Sequence, residues 1–135
     1  MTDSKKQDDL LAEGLRMMDE VYGPGVGEQT KAVSDMPFPS ETVRHLFGEI
    51  WNRPHLSIRD RRLLVIGATA MLGRADLMEV QVKGAILNGE LDDKQLEEAA
   101  LHLAFYTGWG NTTQTWRGIQ AAKQSVAEER KKNGE

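Results

Sequence analysis

The chain has 135 residues, of which 17 are Lys or Arg, 21 are Asp or Glu and none is Cys. This length suits a single domain that buries roughly two-thirds of its unfolded surface, and the absence of cysteine excludes disulfides, thiolate metal sites and thiol catalysis. The net charge of −4, with acids and bases interspersed, argues against a nucleic-acid partner.

The longest apolar run, LLVIGATAML at 63–72, is about half the length of a helix that spans a bilayer. The N-terminus lacks the apolar stretch of a secretory signal, so we expect a cytoplasmic protein without membrane contact. Helical periodicity runs through nearly every segment, and this pattern predicts an all-α fold. We expect a compact bundle of about six helices in one domain, 1–135, with a core at about 10–125 and charged flexible ends.

The first predicted helix carries one apolar stripe and ends at the glycine-rich stretch 23–27, which we interpret as a turn. The stripe consists of Leu11, Leu15, Met18 and Tyr22. The second helix is predicted to begin after Pro39 with Ser40 as its N-cap. It ends before Pro54, because the residue in front of a proline is pushed out of helical space.

The third predicted helix contains the run 63–72, which is apolar on all sides and is therefore expected at the centre of the core. Ser57 and Asp60 form a capping-box pattern at its start, and Gly73 is a typical stop. A buried strand is the competing interpretation. The length of the run and its alanines and glycines favour a helix.

The fourth predicted helix is ADLMEVQVKGAILNG, with Asp76 as its N-cap and Gly89 as a left-handed stop. The fifth begins at Asp92, where Gln95 completes a capping box, and ends at Gly108. The sixth is predicted to begin at Asn111, again as a cap. Short connections between these helices predict that sequential neighbours pack antiparallel.

The three histidines, His45, His55 and His102, are too widely spaced for a metal-ligand pattern, so we expect no metal. No nucleophile triad can be read from the spacing of the serines either.

Arginines cluster in WNRPHLSIRDRR, at the predicted start of the third helix. They are Arg53, Arg59, Arg61 and Arg62. The N–H groups and dipole of a helix start favour an anion, and two arginines there can hold a carboxylate with paired hydrogen bonds. The alternative is a positively charged turn that simply faces solvent.

Aromatic side chains flank the glycines that join the fifth and sixth predicted helices. Tyr106, Trp109 and Trp116 bring polar tips on apolar rings to this loop, as expected of a pocket lip. Packing in the core or in an interface explains the same aromatics equally well.

The stretch GEIWNRPHLSIRDRRLLVIGATAMLGRADLMEVQVKGAILNGELDDKQLEEAALHLAFYTGW resembles the carboxymuconolactone decarboxylase family, in the branch of gamma-carboxymuconolactone decarboxylase. The similarity covers about residues 10–125. Its most specific pieces are Trp51, Arg53, Pro54, Leu56, Ser57, Arg59, Arg61, GAILNG at 84–89, Tyr106 and Gly108. The resemblance implies an all-helical homo-oligomer, a trimer or a hexamer, as in alkylhydroperoxidase D.

The resemblance also separates two chemistries. Peroxide-reducing members use a Cys-x-x-Cys pair, whose positions correspond here to Arg74 and Leu77, and a glutamate that falls near Arg62. A chain without cysteine is therefore not a thiol peroxidase. Decarboxylating members carry a histidine before the GA-x-x-NG segment, and aligning the glycines places that histidine at Gln81.

The implied reaction is a decarboxylation without a cofactor, on a small carboxylated lactone of aromatic catabolism. Departing electrons enter the lactone carbonyl, and the resulting dienolate takes up a proton. Arg53 and Arg59 match the motif and are expected to hold the substrate carboxylates, with Trp51 and Trp109 as further substrate-binding residues. A neutral amide, or the N–H groups that open a helix near Asn111, suits the enolate oxygen.

Gln81 can donate a hydrogen bond but cannot supply a proton near neutral pH. Tyr106 and His55 are the alternative proton donors. The remaining alternatives are a related reaction on another acid, or a non-catalytic oligomer that binds a small acid or a protein partner. Gln81 can also be an ordinary helix residue that faces solvent.

Overall fold

The computed structural model of the chain describes residues 3–135, which form helices and turns with no strand among them. The all-α prediction is confirmed. Contacts divide the chain into two compact units, Met1–Ile58 and Arg59–Glu135. No helix among the described residues is both long and apolar enough to cross a membrane.

The N-terminal unit is built from four helical segments. They are α1 (Asp3–Tyr22), α2 (Val26–Lys31), α3 (Pro37–Glu41) and a π-helix (Thr42–Ile50) that continues α3 directly. The stretch predicted as a turn is therefore shorter than expected, because α2 already begins at Val26. A nine-residue π-helix is unusual, and nothing in the sequence predicted it.

The π-helix packs closely against α1. A Cβ atom on Gly14 would lie 1.9 Å from the carbonyl oxygen of Val43, so only glycine permits this approach of the two backbones. An aromatic row lies beside the crossing. The ring centroids of Tyr22 and Phe47 are 5.4 Å apart, and those of Phe47 and Trp51 are 6.0 Å apart.

The C-terminal unit contains four helices. They are α4 (Ile58–Leu72), which begins at the last residue of the N-terminal unit, α5 (Ala75–Leu87), α6 (Asp93–Thr107) and α7 (Trp109–Lys132). Its core combines residues of all four helices with Leu91, which lies between α5 and α6. The core residues are Ile66, Ala70, Met78, Val82, Ala85, Leu91, Leu96, Ala100, Ile119 and Ala122. Helices α5 and α7 approach each other closely, because a Cβ on Gly118 would lie 2.6 Å from Cβ of Met78 and 2.8 Å from the carbonyl oxygen of Ala75.

Local signals predicted some helix ends correctly. Asp92 caps α6 by accepting a hydrogen bond from the Gln95 backbone at 2.8 Å, and the Gln95 side chain accepts from the Asp92 backbone at 2.9 Å. Gly89 follows the end of α5 with a φ of 65°. Gly73 and Gly108 likewise follow the last residues of α4 and α6.

Three predicted N-caps are wrong. Ser40 lies inside α3, which begins at Pro37 after Met36. Asp76 lies in the first turn of α5, whose N-cap position is taken by Arg74. Asn111 lies inside α7, where its amide donates to the carbonyl oxygen of Thr107 at 2.9 Å.

The prediction that the third helix is buried on all sides is also wrong. Helix α4 buries Ile66 and Ala70, but Leu64, Met71 and Leu72 are each more than 60% exposed. These three residues and Ala68 follow the spacing of one helix face. The structure therefore leaves an apolar face of α4, defined by these four residues, open on the single chain.

Candidate active site

Gln81 is buried in the C-terminal unit, so the alternative that it faces solvent is wrong. Gln81 lies in α5 and is only 7% exposed. Nη1 of Arg62, on α4, donates a hydrogen bond to Oε1 of Gln81 at 3.1 Å. Arg62 itself is fully buried. The sequence predicted that the clustered arginines either bind an anion or face solvent, and it did not predict that Arg62 is buried.

The charge of Arg62 is balanced by Glu90, which follows the Gly89 stop. Nε and Nη2 of Arg62 lie 3.0 and 3.3 Å from the two carboxylate oxygens of Glu90, whose side chain is 8% exposed. The Asn88 amide donates to the same carboxylate at 2.8 Å. A buried ion pair with additional hydrogen bonds satisfies both charges, which buried ions require.

Asn88 is exposed and borders the three residues that we call the buried polar cluster, Arg62, Gln81 and Glu90. The cluster occupies the position where the resemblance implied the proton-transferring histidine, and it contains no group that donates a proton easily near neutral pH. Sequence reasoning missed Glu90 and Asn88. The segment NGE carries a signal in retrospect, because the positive-φ glycine turns the chain so that Glu90 reaches Arg62 and Asn88 reaches the Glu90 carboxylate.

Arg59 connects the buried polar cluster to a cleft on the surface of the C-terminal unit. Its Nε donates to the backbone oxygen of Glu90 at 3.0 Å, which holds the guanidinium in place. The cleft has a volume of about 370 Å³ and an apolar floor of Leu63, Ile66 and Leu91. Arg59 and His102 are among its polar lining residues.

Tyr106 lies next to this cleft but is 73% exposed. Its ring is 5.2 Å from the His102 imidazole, centroid to centroid. Trp109 lines a different cleft of about 450 Å³, between α6 and α7, together with Trp116 and Leu101. Within the C-terminal unit, Arg59 and Trp109 therefore face separate clefts.

The other predicted site residues belong to the N-terminal unit. Trp51 is buried and stacked on Phe47, whereas Arg53 and His55 are exposed in the segment after the π-helix. That Arg53 shares a substrate with Arg59 stays a prediction, as does the role of His55.

A second ion pair lies at the start of α5, where the resemblance implied one cysteine of the peroxide-reducing members. Arg74 contacts both carboxylate oxygens of Asp76, with Nε–Oδ1 at 2.8 Å and Nη2–Oδ2 at 2.6 Å. These hydrogen bonds lower the pKa of Asp76 from its ordinary 3.8 to about 2. Both side chains are exposed, so the pair is a surface feature and not part of the buried polar cluster.

Among residues 3–135, no group of three or more His, Asp or Glu side chains is arranged to hold a metal ion. The polar side chains that line the cleft beside Arg59 are an arginine, a carboxylate, an amide and an imidazole. Such a set can bind an anion and move a proton.

Comparison with known protein families gives a match over most of the chain. The model of the carboxymuconolactone decarboxylase family matches residues 37–121, which is most of the chain. The chain belongs to this family. The matched range contains the π-helix, α4, α5, α6 and about half of α7, and hence both the buried polar cluster and the cleft.

Two characterised relatives are decarboxylases by name. The 4-carboxymuconolactone decarboxylase of Acinetobacter baylyi is 31% identical over 99 residues, which cover 71% of this chain and 73% of that protein. The nitrosuccinic acid decarboxylase of Metarhizium robertsii is 29% identical over 104 residues, covering 73% of this chain and 71% of that protein. The resemblance inferred from the motifs is thus confirmed, and both relatives indicate a family of decarboxylases.

Proposed function

We propose that this chain is a decarboxylase that needs no cofactor and acts on a small carboxylated lactone or a similar acid. The observation that carries the proposal is the 31% identity to a 4-carboxymuconolactone decarboxylase over 71% of the chain. The second relative supports a broader substrate class, because its named substrate, nitrosuccinic acid, has no lactone. A lactone carbonyl and a nitro group share one property, which is that either accepts the electrons a departing carboxylate leaves behind.

The reaction has three requirements: a cation for a carboxylate, a donor for the electron-accepting group and a proton for carbon. Arg59 meets the first because its guanidinium is held by Glu90 at the edge of an apolar cleft. Arg53 is our second proposed carboxylate ligand, from its place in the motif. The protein also places the reacting acid on apolar surface, where electrostatic contacts are stronger than in water.

The direct test is to incubate the purified protein with 4-carboxymuconolactone and, separately, with nitrosuccinate. We expect release of CO2 from at least one acid, in proportion to protein concentration, together with loss of lactone absorbance for the first. The control is the same preparation after heat denaturation. A folded, helical protein that releases CO2 from neither acid contradicts the proposal.

One observation favours a second candidate, a non-catalytic oligomer that binds a small acid. The buried polar cluster places an amide, held by Arg62, where decarboxylating relatives are expected to carry histidine. Titration calorimetry with succinate separates the candidates. Binding of succinate without turnover of either test acid favours the binding protein, and turnover excludes it.

A further inference from the structure

The cleft lined by Arg59 and His102 has the composition of an active site, and no comparison assigns it a role. Its floor is apolar, and its rim carries one cation, Arg59, together with the His102 imidazole and the Glu98 carboxylate. We propose that a small organic acid binds in this cleft with one carboxylate on Arg59, and that His102 gives the proton to carbon. This inference rests on the proposed decarboxylase function.

The buried polar cluster cannot take this role itself. Arg62 is fully buried, Gln81 is 7% exposed and the Glu90 side chain is 8% exposed. A substrate placed against Gln81 would have to displace the ion pair between Arg62 and Glu90. Breaking such a buried pair is strongly unfavourable, because it leaves a buried charge without its partner, so the reacting acid is expected to bind outside the cluster.

Arg59 is suited to hold the substrate because part of its guanidinium is already fixed. Nε is committed to the backbone oxygen of Glu90 at 3.0 Å, and Nη1 lies 3.9 Å from a carboxylate oxygen of the exposed Asp60, at the limit of an ion pair. The terminal nitrogens are thus the ones a ligand meets. A pre-oriented guanidinium loses less conformational entropy when a carboxylate binds.

Charge selects this cleft over the larger cleft beside Trp109. Among the residues that line the larger cleft, Glu97 carries the only formal charge, and it is negative. A carboxylate substrate is repelled there and attracted by Arg59 in the smaller cleft. The volume of about 370 Å³ accommodates a small acid and leaves space for the departing CO2.

His102 supplies the proton chemistry that Gln81 lacks. Histidine is the side chain that most readily gains and loses a proton near neutral pH. His102 is exposed, so it can recover its proton from solvent after each turnover. The titratable neighbours at the cleft are Arg59 on α4, and Glu98 and Tyr106 on α6, whose ring contacts the imidazole.

The step balances without a further reactant. The bond between carbon and the departing carboxylate breaks, CO2 leaves, and the electron pair moves into the conjugated carbonyl or nitro group. The His102 imidazolium then gives its proton to carbon, and the electron pair returns from the acceptor to form the new C–H bond. One carboxylate and one proton become one C–H bond and one CO2.

Kinetics of two variants test the assignment. For His102→Gln, which keeps a polar side chain but cannot transfer a proton, we expect kcat to fall about a hundredfold or more with little change in KM. For Arg59→Gln we expect KM to rise about ten- to a hundredfold, because a charge-assisted contact to the carboxylate is lost. His45→Gln is the matched control, an exposed histidine of the N-terminal unit, and should keep the wild-type rate.

A binding measurement separates failure of this inference from failure of the proposed function. Succinate is the probe, since it has the carboxylates of the substrate class but no electron acceptor that would let it react. With three histidines in the chain, imidazole NMR signals are assigned from the His102→Gln and His45→Gln spectra. We expect succinate to move the His102 signals, and to do so far less in Arg59→Gln.

Each outcome decides one of the two statements. If CO2 is released but His102→Gln keeps the full rate, the inference is overturned and the proposed function stands. If succinate moves the His102 signals but the wild-type protein decarboxylates neither acid, the proposed function and the proton-donor role fail, while the binding site stands. If succinate leaves the His102 signals unmoved, the binding site is overturned.

Discussion

At the scale of single residues, the sequence indicated an unusual position at 81 but not its physical setting. Gln81 is held by a buried arginine whose charge is matched by Glu90, 28 residues away along the chain. A contact of this sequence separation has no local signature, because each partner alone looks like a surface residue. Only the fold brings them together and buries them.

Removing the charge of Glu90 tests whether the buried polar cluster is structural. Glu90→Gln leaves Arg62 buried without the carboxylate that contacts two of its nitrogens, so we expect the free energy of unfolding to fall by about 3–5 kcal/mol in urea denaturation. Glu13→Gln is the control. It removes an exposed pair with Arg16 and should cost about 1 kcal/mol or less.

The double variant Arg62→Met/Glu90→Leu refines this prediction. Replacing both charges by apolar groups avoids the unpaired buried cation, so the double variant should be more stable than Glu90→Gln alone. If Glu90→Gln is as stable as the wild type, the ion pair is not a structural element.

The variant Gln81→His tests the role of the same cluster by its effect on catalytic activity. In the wild-type chain the Arg62 guanidinium contacts Oε1 of Gln81 at 3.1 Å. In Gln81→His the new imidazole therefore lies beside this cation, which disfavours the protonated form of the imidazole. We therefore expect kcat to rise by less than about tenfold, well below the largest effects of acid–base groups. Steady-state kinetics with the better of the two test acids measures this. A gain near a thousandfold would show that the substrate reaches position 81.

At the scale of elements, the sequence predicted helices well and their first residues poorly. Stops at Gly73, Gly89 and Gly108 were correct because a positive-φ glycine ends a helix through its own backbone. The capping box of Asp92 and Gln95 was correct for the same reason, since both hydrogen bonds lie within four residues.

The wrong caps fail because another partner competes for the capping side chain. The Asp76 carboxylate is bound mainly by Arg74. The Asn111 amide donates to carbonyl oxygens of Thr107 and Met71. Composition around a helix start therefore predicts that a helix begins there, while the exact first residue depends on contacts that the pattern does not contain.

The Arg74 and Asp76 pair gives a pH prediction for the start of α5. Hydrogen bonds from Arg74 hold the pKa of Asp76 at about 2, below its ordinary 3.8. A lowered pKa in the folded chain means that the pair favours folding above its ordinary pKa, and that this contribution is lost as the pH falls through about 2.

Carboxyl NMR titration measures this pKa directly. In Arg74→Gln we expect the pKa of Asp76 to return towards 3.8, because the two charge-assisted hydrogen bonds are gone. Lys83→Gln is the matched control. It removes a partner of Glu129 elsewhere on α5 and should leave Asp76 unchanged. An Asp76 pKa that stays near 2 in Arg74→Gln would assign the shift to the helix start instead.

At the scale of the whole molecule, the apolar face of α4 remains to be explained. Leu64, Met71 and Leu72 are 64%, 61% and 67% exposed, although the run that contains them is the most apolar in the sequence. Further large side chains of the same unit are exposed on α6 and α7. They are Leu101, Phe105, Tyr106, Trp109 and Trp116. Soluble monomers rarely leave apolar surface of this extent in contact with water.

We therefore propose that copies of this chain associate as a trimer or a hexamer through the apolar face of α4. The sequence predicted this helix as central to a core, and a core shared between chains satisfies the same pattern. Charged residues on this face should prevent association, because a carboxylate buried in an apolar interface lacks a partner.

Light scattering coupled to gel filtration tests the interface. We expect the wild-type protein to have the mass of a trimer or a hexamer, and Leu64→Glu/Met71→Glu to shift towards the monomer while remaining helical. Lys94→Glu changes the net charge by the same amount at an exposed position in the first turn of α6 and should keep the wild-type mass. The proposal is contradicted if the wild-type protein is a monomer, because the apolar face of α4 would then stay in contact with water. An oligomer unaffected by the double substitution would instead assign the contact to the exposed side chains of α6 and α7.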